Sequence, residues 1–264
     1  MPFVSDGRTL IARAFAERRA LPAFNVCSAE MIRACLEAAE IEGSPVILQT
    51  YPTDLEQLPP KETAALVRAF ADDLSVPVML HLDHGPSLEL AYHCLRAGFS
   101  SVMFDGAGLP LETVIQHARV LGEVAHAQGA ALEVAAESFS GSAELTDPDQ
   151  ALRLRDETGA DMIAVAVGSE HGHDASLDLA LLEAISKRLD SPLVLHGGSG
   201  VSVEDLQVAR QYGVVKVNIG SALYRALRRT WETSASLLHH RAVYSAVRDA
   251  LREVAQQKIR LLKP

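Results

Sequence analysis

Several things are missing from this chain, and each absence removes a class of protein. No apolar run approaches the roughly 20 residues that cross a bilayer. The longest ones are strand-sized or broken by charges, so no membrane span is expected. The opening residues, MPFVSDGRTL, show no basic region followed by an apolar core, so no secretory signal is expected. There are only three cysteines, Cys27, Cys35 and Cys94, with no C-x-x-C spacing. That predicts reduced thiols packed as small hydrophobes in a cytoplasmic protein. No lysine- or arginine-rich run interrupts a net charge of −10, which argues against a nucleic-acid partner. It leaves open a phosphorylated substrate held by local backbone groups. No G-x-G-x-x-G follows the first strand-like run, and there is no linker or low-complexity tract.

What is present is regular. With 264 residues, 48% hydrophobic and 22% charged, the chain can bury a large core as a single domain, residues 1–264. Eight apolar runs recur: 21–26, 45–50, 77–83, 101–106, 131–137, 162–168, 192–198 and 214–220. Segments with helical spacing separate them, such as AEMIRACLEAAEIEG and LDLALLEAISKRL. Proline opens several runs (Pro45, Pro77, Pro192), and glycine ends several helical segments (Gly129, Gly159, Gly213). Near-continuous apolar strands alternating with helices mean a parallel sheet covered on both faces. Eight such units in about 250 residues predict an α/β fold, the (β/α)8 TIM barrel. The closing segment RAVYSAVRDALREVAQQKIRLLKP predicts a C-terminal helical extension, packed on its own chain, closing the barrel bottom or reaching a neighbouring subunit.

In such a barrel the chemistry gathers where the strands end. The third run ends in Asp83 and His84, the fourth in Asp105, the fifth in Glu137 and the seventh in His196. The sixth leads into GSEHGH, with Glu170, His171 and His173. Three imidazoles around one mouth, with a fourth position open, suit a catalytic zinc that polarises a carbonyl. His81 shares a face with Asp83 and predicts an inward, supporting role. The remaining histidines fall in helical segments. Glycine-rich turns, HGGSGVS at 196–202 and NIGS at 218–221, open onto helices where a phosphate would be cradled.

With these residues in view, the chain resembles the class II, metal-dependent ketose-bisphosphate aldolases. The segments AFNV (23–26), PVMLHLDHG (77–85), AGFSSVMFDG (97–106), TGADMIAVAVGSEHG (158–172), PLVLHGGSG (192–200) and GVVKVNIGS (213–221) carry the resemblance. It implies a lyase that reversibly cleaves a fructose- or tagatose-type 1,6-bisphosphate into dihydroxyacetone phosphate and an aldehyde such as glyceraldehyde 3-phosphate. It further implies zinc on His84, His171 and His196, with Asp83 taking the proton of the C4 hydroxyl. Asp105 and Glu137 match positions near a second metal location. Gly172, Gly197, Ser199, Asn218 and Ser221 match the site for the phosphate and a monovalent cation, Na+ or K+. A homodimer or homotetramer is implied as well.

The chain departs from that family where the aldehyde half of the pocket is shaped. ESFSGSAELTDP (137–148) is shorter and has one glycine, which leaves Glu144 as the candidate loop acid. QTYPTDL (49–55) and DGAG (105–108) are also unusual. A different phosphorylated keto-sugar, a metal-binding subunit without turnover, and a Schiff-base aldolase built on Lys216 remain as alternatives. Lys216 also has a simpler reading, as an internal ion-pair partner.

Overall fold

The computed structural model describes residues 2–136, 145–169, 176–234, 236–237 and 239–263. Its eight strands are β1 (Leu21–Asn25), β2 (Val46–Thr50), β3 (Val78–Gly85), β4 (Ser101–Phe104), β5 (Ala131–Ala135), β6 (Met162–Val165), β7 (Leu193–Leu195) and β8 (Val214–Ile219). They pair in parallel and in chain order, and β8 returns to β1 through Ala23 opposite Asn218, closing the barrel. Every run expected from the sequence is a strand. β6 and β7 stop short because the chain turns at Gly168 (φ 96°) and Gly197 (φ 68°). β3 instead runs on to Gly85, with a register shift against β4 between Leu82 and Gly85.

The helices are α1 (Gly7–Ala16), α2 (Ala29–Glu42), α3 (Asp54–Gln57), α4 (Pro60–Ala71), α5 (Leu88–Ala97), α6 (Leu111–His126), α7 (Pro148–Thr158), α8 (Leu179–Leu189), α9 (Val203–Gln211), α10 (Ser221–Thr233) and α11 (His240–Leu262). Several begin on a side-chain cap: Ser28, Ser87 and Ser202 accept the backbone N–H of Met31, Leu90 and Asp205. The strands are buried on both faces, and this divides the core. Outward residues such as Phe24, Leu48, Leu80 and Val134 pack beneath the helices. Inward residues Leu21, Ala23, Ile47, Met79 and Met162 pack with Leu10, Ile11 and Ala14 of α1, which plugs the end away from the site.

The last described helix packs on its own chain, as expected, but not at the barrel bottom. α11 packs on α2, α9 and β1, so it takes the eighth place in the outer ring. Its buried residues, Val247, Leu251, Ala255, Ile259 and Leu262, form a stripe at helical spacing. α10 packs mainly on α11, with Leu223 its one buried residue among those described. The barrel bottom is closed by α1, not by the C-terminal helix. Among the described residues no helix is long and apolar enough to cross a membrane, and all three cysteines are free thiols.

Candidate active site

A cavity of about 440 Å³ opens at the C-terminal ends of the strands. Asp83 lies in its floor, buried, and three amides hold it. Asn25 and Gln49 donate to Oδ2 at 2.8 and 3.0 Å, and Asn218 donates to Oδ1 at 3.0 Å. Gln49 also donates to Asn25 at 3.0 Å, which locks the group together. A carboxylate offers about four acceptor positions, so one on Oδ1 is left for a ligand's hydroxyl. Burial alone would raise the Asp83 carboxyl, but the charges of Lys216 and of the neighbouring imidazoles outweigh it and hold it below the usual range. Asp83 is therefore an ionised acceptor at neutral pH.

Successive side chains on a strand point to opposite faces, so Asp83 and His84 should not share one mouth. The backbone resolves this at His84, which takes a left-handed conformation at φ 52°. Such a conformation costs a non-glycine residue of order 1–3 kcal/mol. Together with the bulge against β4, it brings both side chains to the cavity. His84 Nδ1 then lies 2.7 Å from Asp105 Oδ2, and Ala107 N–H donates to the other oxygen of Asp105 at 2.9 Å. Its ring also stands 4.7 Å from that of His196 and 5.5 Å from that of Tyr51.

His196 is set from below. Its Nε2 lies 3.1 Å from Oε1 of Glu133, a carboxylate buried in the middle of β5. The other oxygen of Glu133 meets Lys216 Nζ at 2.9 Å and His81 Nε2 at 3.4 Å. His81 Nδ1 lies 2.7 Å from Ser101 Oγ. Burial, followed by the charge of Lys216, depresses His81 to about 3, so it is neutral. Burial pushes Glu133 up, yet Lys216 and the imidazoles pull it well below the usual carboxylate range.

Asp83, His84 and His196 each offer a ligand atom, and these atoms lie within 4.8 Å of one another. Both imidazoles have their second nitrogen on a carboxylate, the support that metal-ligating histidines usually have. The donor set therefore fits a divalent cation that accepts nitrogen and oxygen. His84 would offer Nε2 to it and His196 would offer Nδ1.

Beside this cluster, Gly197, Ser199, Gly220 and Ser221 line one end of the cavity. A side chain at Gly220 would place its Cβ 2.9 Å from the amide oxygen of Asn25, so a larger residue in this turn would push the Asn25 amide aside. Ser199 Oγ accepts from Ala222 N–H at 3.3 Å, and Lys258 Nζ of α11 donates to the Ser199 carbonyl at 2.8 Å. Tyr51, Thr53, Asp54 and Tyr224 form another wall. There Asp54 Oδ2 accepts from Tyr51 N–H at 3.1 Å and from the Tyr224 hydroxyl at 3.4 Å. Burial raises the Asp54 carboxyl against those two bonds, and the charge of Asp83 adds to the rise.

The sequence matches the pattern of class II fructose-bisphosphate aldolase over residues 5–264. The chain belongs to the class II fructose-bisphosphate aldolase family. Among its relatives is a sulfofructosephosphate aldolase from Alkalicoccus urumqiensis, 30% identical over 99% of this chain and 96% of the relative. The YdjI aldolase of Escherichia coli K12 superposes with a TM-score of 0.88 at 29% identity, over 98% of this chain and 97% of that one. A fructose-bisphosphate aldolase from Campylobacter jejuni, at 24% identity, shares the fold with a TM-score of 0.85 over 98% and 95%. The chain is thus an aldolase, a carbon–carbon lyase.

For this aldolase, the structure brings together Asp83, His84, Asp105, His196, Gly197, Ser199, Asn218 and Ser221 as the sequence suggested. Asp105 reaches the cluster through His84 and is not one of the three groups whose ligand atoms converge. His171, Gly172, Glu137 and Glu144 lie outside the described residues. Lys216 is fully buried and ion-paired, and does not line the cavity, so its role is the internal pair and not a Schiff base. Sequence reasoning missed Glu133, Gln49, Asp54 and Tyr224. Glu133 had a usable signal: it is an acid between Ala131 and Ala135 on the inward face of an apolar strand, where a charge must have partners.

Proposed function

We propose that this aldolase uses a bound divalent metal, zinc, to cleave reversibly a ketose carrying a phosphate on C1. The products are dihydroxyacetone phosphate and an aldehyde. The observation that carries the proposal is the carboxylate of Asp83, held by three donating amides beside two carboxylate-backed imidazoles. His84 and His196 would hold the metal, with His171 as the third ligand that the family resemblance supplies. A metal there would polarise the substrate carbonyl and offset the negative charge that develops as the carbon–carbon bond breaks.

Asp83 performs the proton step at the other end of that bond. Its remaining acceptor position takes the proton of the C4 hydroxyl, the aldehyde forms as the C3–C4 bond breaks, and the electron pair passes to C3. The amides of Asn25, Gln49 and Asn218 keep the carboxylate oriented without supplying a proton themselves. The turns at Gly197 and Ser221 fix the phosphate through backbone N–H groups, and a monovalent cation beside them belongs to the same reading. Glu144 is the proposed acid that exchanges the proton at C3, and Glu137 with Asp105 is proposed to serve a second metal position. A homodimer or homotetramer in the cytoplasm is also proposed. Exposed Trp231 and Tyr244 on the α10–α11 hairpin support the self-association.

The test is cleavage of fructose 1,6-bisphosphate, tagatose 1,6-bisphosphate and their 1-phosphates, with and without chelator. Asp83→Asn should keep the metal and lose roughly 10²–10⁴-fold in cleavage, the usual contribution of a positioned proton-transfer group. Turnover that survives both the chelator and this substitution would refute the proposal.

A further inference from the structure

Charge is spread unevenly around the cavity. Behind the glycine-rich turns, Lys258 donates to the Ser199 carbonyl, and burial, followed by the nearby charge of Arg225 of α10, lowers its ammonium below the usual range. Asp54, in another part of the cavity, is a carboxylate presented by Tyr51 and Tyr224. Among the described residues that line the cavity, none is lysine or arginine. The segments 137–144 and 170–175 contain neither residue. The same holds for every other stretch between a strand and its following helix: 26–28, 51–53, 58–59, 86–87, 105–110, 145–147, 166–169, 176–178, 196–202 and 220.

An anion at both ends of a substrate would therefore find a cradle at one end only. On the wall formed by the loop after β2 it would meet Asp54, whose carboxyl is near enough to feel the charge of Asp83. At about 4 Å in a water-like medium, one such like-charge contact disfavours binding roughly fivefold, and more as the pocket dries. A carboxylate is instead a good acceptor for hydroxyl groups, and the phenol of Tyr224 beside it adds a second polar contact.

Resting on the aldolase reading above, the geometry points to an aldehyde partner that is an uncharged polyhydroxy aldehyde, with Asp54 as the residue that accepts its hydroxyls and turns away phosphorylated ones. The substrate class is then a ketose 1-phosphate whose far end carries hydroxyls, not a 1,6-bisphosphate. In the condensation direction C3 of dihydroxyacetone phosphate loses a proton and bonds to the aldehyde carbon. The proton from C3 passes to the proposed base Glu144 and on to water, and the aldehyde oxygen takes a proton from water through Asp83, which ends ionised as it began, so no further reactant is needed.

The experiment supplies dihydroxyacetone phosphate with glyceraldehyde, erythrose, glyceraldehyde 3-phosphate or an aldehyde bearing a sulfonate, and measures kcat/KM for each. The purified full-length, metal-loaded protein should favour the neutral aldehydes by at least fivefold. Asp54→Asn should narrow that ratio, chiefly by improving use of the two anionic aldehydes. The ratio is read within one preparation, so a partly unfolded variant does not distort it. A wild-type preference for either anionic aldehyde, or a ratio unmoved by Asp54→Asn, overturns the inference. Exchange of the C3 proton of dihydroxyacetone phosphate, measured without any aldehyde, separates the two proposals. Exchange together with a preference for anions sinks only the specificity, whereas no exchange sinks the proposed cleavage through dihydroxyacetone phosphate and the specificity with it.

Discussion

Replacing Lys216 with Met is expected to destabilise the fold by about 3 kcal/mol, a figure that follows from the surroundings of Glu133. Both side chains are fully buried, and the ammonium lies 2.9 Å from the carboxylate. Removing one member of a buried pair typically costs about 3–5 kcal/mol, because the other charge is stranded. Here Glu133 keeps His196 at 3.1 Å and His81 at 3.4 Å, which places the cost at the lower end. Met fills nearly the volume of the lysine stem, so little of the cost is a cavity. For a chain of this size, about 3 kcal/mol lowers Tm by roughly 6–12 °C. The assay is thermal and urea unfolding of chelated protein near neutral pH, so that metal binding adds nothing to the native state. The double variant Glu133→Gln with Lys216→Met removes the stranded charge and should recover part of the loss. A single variant within about 0.5 kcal/mol of wild type, the range of an ordinary surface change, would refute the reasoning.

Three further outcomes are expected. Asp105→Ala should weaken zinc binding roughly 10–100-fold, the usual effect of removing a ligand's supporting carboxylate; unchanged affinity in a calorimetric titration would remove that role. Glu42 is held at about 2, first by its bond to Arg260 and against burial. An unfolded glutamate titrates near 4.3, so the Glu42 contribution is full above that value and is lost as pH falls towards 2. Glu42→Gln should therefore flatten the acid limb of the stability curve over that window, and parallel curves would contradict it. Glu144→Gln should slow exchange of the C3 proton of dihydroxyacetone phosphate while leaving metal content unchanged; equal exchange rates would make Glu144 a bystander.

The barrel was legible because its signal is local and repeated. Each strand is an apolar run between turn residues, and eight of them leave few other closed arrangements. Asp83, His84 and His196 were legible for a related reason, since polar groups at the end of apolar strands have no packing role. Other features depend on juxtaposition. Glu133 touches His196 63 positions away, and Tyr224 meets Asp54 across 170 positions. Neither pairing leaves a trace in spacing. The turn at His84 was hidden because strand alternation predicts the opposite orientation, and only the left-handed backbone overrides it. The place of α11 was hidden too, because an amphipathic stripe says that a helix packs but not on what.

That place has a consequence for how the protein is made. Met31, Ile32, Cys35, Leu36 and Ala39 of α2 are buried, and α2 packs against α11, which follows about 200 positions later. β1 likewise waits for β8. At about 5–20 residues per second, the roughly 240 residues between β1 and the end of α11 take on the order of 10–50 s to synthesise. For that interval on the ribosome the first βα unit has an unpaired strand edge and an uncovered apolar helix face.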